Sequence, residues 1–268
     1  MIIGIDIGST TTKAVSIENG KIIKRIKARA QDAITAATGA FGKIVLENGI
    51  DIKTIEKIKI TGAGSTKIKD NIFGIPTTRV SEIEAIGVGG MFLSSMKDII
   101  ITNIGTGTVI LEAGDKEIKH VGGSGVGGGT ILGLAKKLLP VAQFNDILEL
   151  AKNGKINQVD LLLGDITDTR LSFLSGESTA SNFGKMLDTA NSSDIALAII
   201  NMVYQVIGVL SVFAARAKNS KRIIVTGNGS KNVIGRKVLT DISALYEVEF
   251  IYPEYAEYTT AIGAGLTN

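Results

Sequence analysis

Two octapeptides in this chain read as variants of one another. Gly4-Ile5-Asp6-Ile7-Gly8-Ser9-Thr10-Thr11 and Ile101-Thr102-Asn103-Ile104-Gly105-Thr106-Gly107-Thr108 each run through an apolar strand carrying one polar side chain, then a glycine, then a hydroxyl residue. They stand 97 residues apart, too far for a solenoid, whose repeats recur every ~20–50 residues. A hairpin arm follows each copy. In a chain of 268 residues such a duplication implies two related lobes, each opening on a three-stranded meander with helices after it. The pattern restarts at Ile99, so the lobes are expected over 1–98 and 99–268.

The segments between support an α/β fold with mixed sheets. Strands are expected over Ile2–Ile7, Thr11–Ile17 and Lys21–Lys27, with Asn19-Gly20 as the hairpin turn between the last two. A helix follows over Ala33–Glu47, then a strand over Lys57–Thr61 and a turn at Gly62-Ala63-Gly64. Ser81 and Glu84 have capping-box spacing for a helix running to about Met96. In the second lobe, strands are expected at Ile99–Asn103, Thr108–Glu112, Lys116–Val121, Arg222–Thr226 and Glu247–Tyr252. Helices are expected from about Thr130, over Phe144–Asn153, Gln158–Leu163, Ser178–Leu187, Ser193–Lys218 and Ser230–Thr240, and finally over Tyr258–Leu266. Ile195–Ala215 contains no charged residue and is long enough to span a bilayer. Asn201, Tyr204, Gln205 and Ser211 interrupt it and no second span or aromatic belt follows, so it reads as a helix of the core or of a subunit interface, not of a membrane.

Composition removes several kinds of chemistry. The chain has no cysteine and a single histidine, His120. Disulfides, cysteine-held clusters and cysteine nucleophiles are excluded, and a histidine-based zinc site or Ser-His-Asp triad is nearly so. A net charge of +3 with charges interspersed, and only 5% aromatic residues, give neither the basic stripe nor the stacking platform of a nucleic-acid surface. Met1-Ile2-Ile3-Gly4 has no basic n-region or cleavage site, and the expectation is a cytoplasmic protein.

Glycine, at 32 residues, concentrates in turns next to strand ends and helix starts: Gly8-Ser9-Thr10, Gly105-Thr106-Gly107, the run Gly122–Gly129, and Gly227-Asn228-Gly229. Glycine lets a phosphate approach backbone N–H groups, and a helix N-terminus adds a favourable dipole. Any one of these is compatible with an ordinary turn; four together, two of them duplicated, point to a nucleotide cleft. No Gly-Lys-Ser/Thr closes a glycine run, so this is not a Walker A loop. Asp6, at the end of the first strand, is placed either to hold Mg²⁺ beside phosphates, partly through water, or to bond local turn amides. Lys13, on the returning arm, reads either as a phosphate contact or as a solvated strand lysine.

Asp6-Ile-Gly-Ser-Thr-Thr-Thr-Lys13 and Asn103-Ile-Gly-Thr-Gly107 resemble the two phosphate loops of the actin/hexokinase/Hsp70 ATPase superfamily. The chain more specifically resembles the type II pantothenate kinases, through Val121-Gly-Gly-Ser-Gly-Val-Gly-Gly-Gly-Thr-Ile-Leu-Gly133, Thr179-Ala-Ser-Asn-Phe-Gly184 and Ala261-Ile-Gly-Ala-Gly265. The resemblance implies two actin-like (ribonuclease H-like) lobes with ATP in the cleft between them. It also implies a homodimer built through the long helix, a final helix that packs back on the first lobe, and an acyl-CoA as feedback ligand. ATP and Mg²⁺ are the implied cofactors and pantothenate the acceptor, phosphorylated in the first step of coenzyme A synthesis. Asp6, Gly8, Ser9, Thr10, Lys13, Gly105, Gly123, Ser124, Gly127 and Gly128 would bind ATP and its phosphates, Gly227 and Asn228 would lie near the adenosine, and Asp6 would hold the metal. Thr106, Val109 and His120 fall on the acceptor side. Glu82 falls on the catalytic base. On the residues alone Glu82 reads first as a helix-dipole complement, worth about 0.3–1 kcal/mol, and only the resemblance turns the reading to a base.

Two residues depart from the family pattern. His120 stands where arginine is usual, and Val109 where a hydroxyl residue, usually serine, contacts the acceptor. A milder difference is Gly-Ser-Thr in place of Gly-Gly-Thr in the first loop. Histidine has neither the permanent charge nor the bidentate fork of arginine. A kinase of the same fold for another small alcohol is therefore the second reading. The third is a nucleotide-dependent activator or sensor, because the first loop also resembles that of 2-hydroxyacyl-CoA dehydratase activators. Without cysteine it would lack their cluster.

Overall fold

Strict alternation along the first strand dictates a sheet covered on both faces. Ile3, Ile5 and Ile7 point one way, and Gly4 and Asp6 the other. A computed structural model describes residues 1–29, 32–141, 143–167 and 175–268. Its strands are β1 (Ile2–Ile7), β2 (Thr12–Glu18), β3 (Lys21–Ala28), β4 (Lys57–Thr61), β5 (Thr77–Arg79), β6 (Ile99–Ile104), β7 (Thr108–Ala113), β8 (Ile118–Ser124), β9 (Leu161–Leu162), β10 (Thr179–Ser181), β11 (Arg222–Thr226) and β12 (Glu249–Ile251). The helices are α1 (Ala33–Asn48), α2 (Glu82–Ser94), α3 (Gly128–Leu138), α4 (Phe144–Ala151), α5 (Leu163–Ile166), α6 (Ser192–Ala217), α7 (Val233–Tyr246) and α8 (Thr259–Leu266).

The duplication extends to topology. One five-stranded sheet has the order β3-β2-β1-β4-β5; the other, read from its far edge, is β8-β7-β6-β11-β12. In each, an antiparallel meander is extended by two parallel strands. The fold is α/β with two mixed sheets.

Side-chain alternation sets the layers. Ile3, Ile5 and Ile7 pack on α1 through Ala37, Phe41 and Ile44, while Val15 and Ile17 on the opposite face meet Ala261 and Ile262 of α8. In the second sheet Ile100, Ile104, Ile223 and Val225 face α6, and Ile99, Ile101, Leu111 and Ile224 face Ile86 of α2. The two inner helices are thus exchanged. Helix α2 follows the first sheet in sequence but covers the second, and α8 ends the chain but covers the first. They cross backbone to backbone: a Cβ at Gly263 would land on the Ala85 carbonyl. Buried Lys59 of β4 donates to the Thr267 carbonyl at the C-terminal end of α8, where a cation complements the helix dipole.

Helix α6 is long and apolar enough, by length and composition, to cross a membrane, yet fourteen of its twenty-six residues are buried in the second lobe. The four polar side chains that interrupt its apolar run have partners elsewhere in the fold. Asn201 donates to Asp160 at 2.8 Å, Tyr204 to the Gly229 carbonyl at 2.7 Å, Gln205 accepts from Asn182 at 3.0 Å, and Ser211 pairs with Thr102 at 2.8 Å.

Several expected elements differ. No helix forms over Ser178–Leu187, and only a 3-10 turn, the short β9 and the start of α5 occupy 156–163. The cause is Asp160, fully buried, whose carboxylate accepts from the Phe183 amide at 2.8 Å, from Asn182 at 3.1 Å and from Thr179 at 3.3 Å as well as from Asn201. A buried charge has to be satisfied, and the backbone wraps around it, with Phe183 and Met186 at φ 57° and 32°, incompatible with a helix. Ser81 does stand at the start of α2, but its side chain makes no cap bond. The first turn is closed by Ala85 N to Ser81 O at 2.9 Å. That helix stops at Ser94, on Ser95 at φ 55°. The helix expected from Ser230 begins at Val233, capped by Asn232, after a 3-10 turn over Asn228–Lys231.

Candidate active site

The first loop is positioned by its hairpin. Asn19 and Gly20, at φ 50° and 72°, make the tight turn between β2 and β3, and a bulge at Ser16/Ile17 shifts the pairing by one residue. Lys13 therefore stands opposite Asp6 on one side and Lys27 on the other; in unbroken register Ile26 would stand there. Asp6 and Lys13 are both buried, with Nζ 3.4 Å from Oδ2, so Lys13 is not a solvated strand lysine. Burial pushes the Asp6 carboxyl above its ordinary range and Lys13 pulls it part of the way back. Lys27 is pushed down by its enclosure and then by the like charge of Lys13.

The second loop meets the first between the two sheets. Ser9 Oγ and Thr106 Oγ1 share a hydrogen bond of 2.6 Å, and Asn228 Nδ2 donates to Thr11 Oγ1 at 3.2 Å. Three of the four glycine turns, at Gly8, Gly105 and Gly227, thus converge. The fourth is divided. Gly122, Gly123 and Ser124 extend β8, with Gly123 opposite Val109. The amides of Gly127, Gly128 and Gly129 are engaged by Thr130 Oγ1, the Gly105 carbonyl and the Thr106 carbonyl at 3.1, 2.9 and 2.8 Å. The Gly127 and Gly128 amides, expected at the phosphates, are thus paired within the loop. They brace the second loop from behind and do not present free donors, because the α3 N-terminus has to satisfy its own amides.

Glu82 opens α2 at the mouth between the sheets. Its side chain is exposed in area but walled in, and burial together with the negative charge of Asp6 raises its carboxyl above the usual range, with Lys13 opposing. The charges that Glu82 feels are therefore those of the first loop. Val109 lies half-buried in the patch that holds Ile83 and Ile86. His120 is exposed, opposite Leu111 on the α2 side of the second sheet, and its Nε2 lies over Gly123.

The sequence held a second signal that the octapeptides concealed. Thr61-Gly62-Ala63-Gly64-Ser65 and Thr226-Gly227-Asn228-Gly229-Ser230 are one pentapeptide with a single change. Gly62 and Gly227 sit at φ 84° and 79°, a left-handed conformation open to glycine, and each starts a 3-10 turn. Beside the second turn lies a cavity of about 500 Å³ lined by Ser230, Lys231, Arg236, Tyr252, Pro253 and Glu257. Arg236 stacks 4.4 Å over the Tyr252 ring, and burial raises the Tyr252 hydroxyl to about 12. Lys231 pairs with buried Glu257. Glycine spacing marks only the Ser230 side of this cavity; the opposite wall comes from the β12–α8 connection.

Among the described residues no group of three or more His, Cys, Asp or Glu side chains could cage a metal. A lone carboxylate, Asp6, fits Mg²⁺ held mainly by phosphate and water.

The profile of the Fumble family matches residues 94–267. A curated type II pantothenate kinase of Bacillus cereus is 33% identical over 267 aligned residues, spanning 96% of this chain and 89% of the relative. Another, of Staphylococcus aureus (strain USA300), is 30% identical and spans 98% of both. Among solved structures, the activator of the 2-hydroxyisocaproyl-CoA dehydratase from Clostridium difficile with bound ADPNP superposes over 99% of this chain and 92% of its own, with TM-score 0.71 and 19% identity. A ROK family glucokinase from Streptomyces griseus in complex with glucose and AMPPNP superposes over 98% and 97%, with TM-score 0.60 and 15% identity.

Proposed function

The chain belongs to the Fumble family, that of the type II pantothenate kinases, and we propose that it moves the γ-phosphate of ATP onto the hydroxyl of pantothenate in the cleft between its sheets. The observation that carries this reading is the buried Asp6–Lys13 pair beside two hydrogen-bonded glycine loops, with Glu82 near enough for the Asp6 charge to raise its carboxyl. Ser9 and Thr10 orient the triphosphate with their hydroxyls, Thr106 stands on the acceptor side, and Lys13 is placed to contact phosphate. Asp6 would hold Mg²⁺, which neutralises charge on the phosphates. The adenosine lies toward Asn228 and the cavity under Tyr252. Glu82 accepts the proton of the acceptor hydroxyl as its oxygen attacks the γ-phosphorus in line and ADP leaves. A carboxylate with raised proton affinity is the better base near neutral pH.

The test is incubation with Mg-ATP and a panel of small alcohols, reading ADP release and the mass of the product. Phosphopantothenate is the expected product. His120 and Val109 favour the second reading, another acceptor on the same fold, and activity on a different alcohol with none on pantothenate would establish it. His120→Arg is expected to lower the KM for pantothenate by about tenfold, with kcat little changed, since a charge-assisted hydrogen bond is worth ~1.5–3 kcal/mol. An unchanged KM removes His120 from the acceptor site.

We also assign a homodimer to α6, an acyl-CoA as feedback ligand and the cytoplasm as location. For the dimer, Met202, Val206, Val209 and Phe213 form an apolar stripe along the outer side of α6, and Phe213 is 56% exposed. Phe213→Asp is expected to halve the mass measured by light scattering, and a dimer that survives it would move the interface elsewhere. Inhibition by added acetyl-CoA, competitive with ATP or with acceptor, tests the feedback assignment.

A further inference from the structure

The duplicated lobes differ at one buried hydroxyl. In the second lobe Asn103 pairs in register with Thr226 of the neighbouring parallel strand, and Thr226 Oγ1 donates to Asn103 Oδ1 at 3.0 Å. In the first lobe Asp6 pairs in the same register with Thr61. The following glycines match too: a Cβ at Gly227 would lie 2.9 Å from Asn103 Oδ1, and one at Gly62 would lie 2.6 Å from Asp6 Oδ1. The two oxygens thus occupy equivalent places. Yet Thr61 Oγ1, on a fully buried side chain, has no hydrogen-bond partner among the described residues, while Asp6 leans by Oδ2 toward Lys13. A buried hydroxyl without a partner costs about 1–3 kcal/mol, and one whose partner in register is a carboxylate asks for a state in which it is used.

We propose that Thr61 is a positioning residue for Asp6, its hydroxyl donating to Oδ1 when the metal–nucleotide is bound, as Thr226 donates to Asn103. The inference rests on the nucleotide reading of the cleft. Holding Oδ1 sets the orientation of the carboxylate and leaves Oδ2, on the Lys13 side, for the metal. Groups that orient a metal's carboxylate typically alter metal affinity about 10–100-fold.

The experiment uses the full chain, ADP, and Mn²⁺ as a paramagnetic probe for Mg²⁺. Thr61→Val is expected to weaken Mn²⁺ binding at saturating ADP by about tenfold, with the metal-free affinity for ADP within twofold, and Thr61→Ser to restore it. The nucleotide-free melting temperature of Thr61→Val is expected to equal or exceed that of the wild type, because a hydroxyl without a partner is deleted. Thr226→Val, which deletes a made bond, is expected to melt lower. Unchanged Mn²⁺ affinity in Thr61→Val overturns the inference, as does an equal loss of metal-free ADP affinity, or a melting loss matching that of Thr226→Val, which marks a merely structural residue. Wild-type protein that binds no ADP overturns the nucleotide reading and this inference with it; the other outcomes overturn the inference alone.

Discussion

Glu82→Gln is expected to slow phosphate transfer to the acceptor by roughly 10²–10⁴-fold, the usual contribution of a positioned general base, while ADP binding stays within twofold. The amide keeps the size of the side chain and its place at the start of α2, and Glu84 remains in the first turn to complement the dipole. A role confined to the helix would therefore cost almost nothing. The pH profile separates the two roles further. A base works only when unprotonated, so the wild-type rate falls as pH drops through the pKa of Glu82. Burial and the Asp6 charge hold that pKa above the ordinary carboxylate value, and the acid limb is accordingly displaced upward in pH. The variant loses this limb. Wild-type turnover by Glu82→Gln would take the residue out of the mechanism.

Gly263→Val is expected to cost about 3 kcal/mol, at the upper end for overpacking, and so to lower the melting temperature by roughly 6–12 °C. Glycine inside a helix is otherwise a loss of about 1 kcal/mol against alanine. Here it is required, because α8 crosses α2 with Gly263 against the Ala85 carbonyl and Thr259 against Gly89. The obstacle is backbone on both sides, so no rotamer relieves it. Helix α8 rests on β1, β2 and β4, and α2 on β6, β7 and β8. Prising them apart parts the sheets, and with them the Ser9–Thr106 bond, so nucleotide affinity should fall along with stability. Calorimetric melting and ADP titration read both effects. A variant that melts within about 1–2 °C of the wild type, well short of that expected shift, would show that the crossing can relax.

Local chemistry carried much of the site. An apolar strand that ends in a polar residue, glycine and a hydroxyl can be read without knowing its neighbours, which is why the two glycine loops that meet through Ser9 and Thr106 could be picked out along with Asp6. The Thr-Gly-x-Gly-Ser pentapeptide was equally local and reveals the second half of the repeat. The region around 178–187 was misread for the opposite reason. Its helical spacing is overridden by Asp160, whose partners lie on segments that the sequence keeps apart.

The chain's strands, its glycine turns and the fact of its duplication follow from interactions between near neighbours, and the residue order suffices to state them. Which charges face one another does not. A one-residue bulge puts Lys27 instead of Ile26 across from Lys13, and an exchange of helices brings Glu82 under the field of Asp6. Both depend on packing between segments far apart in the chain, where a shift of one position reverses every side chain of a strand.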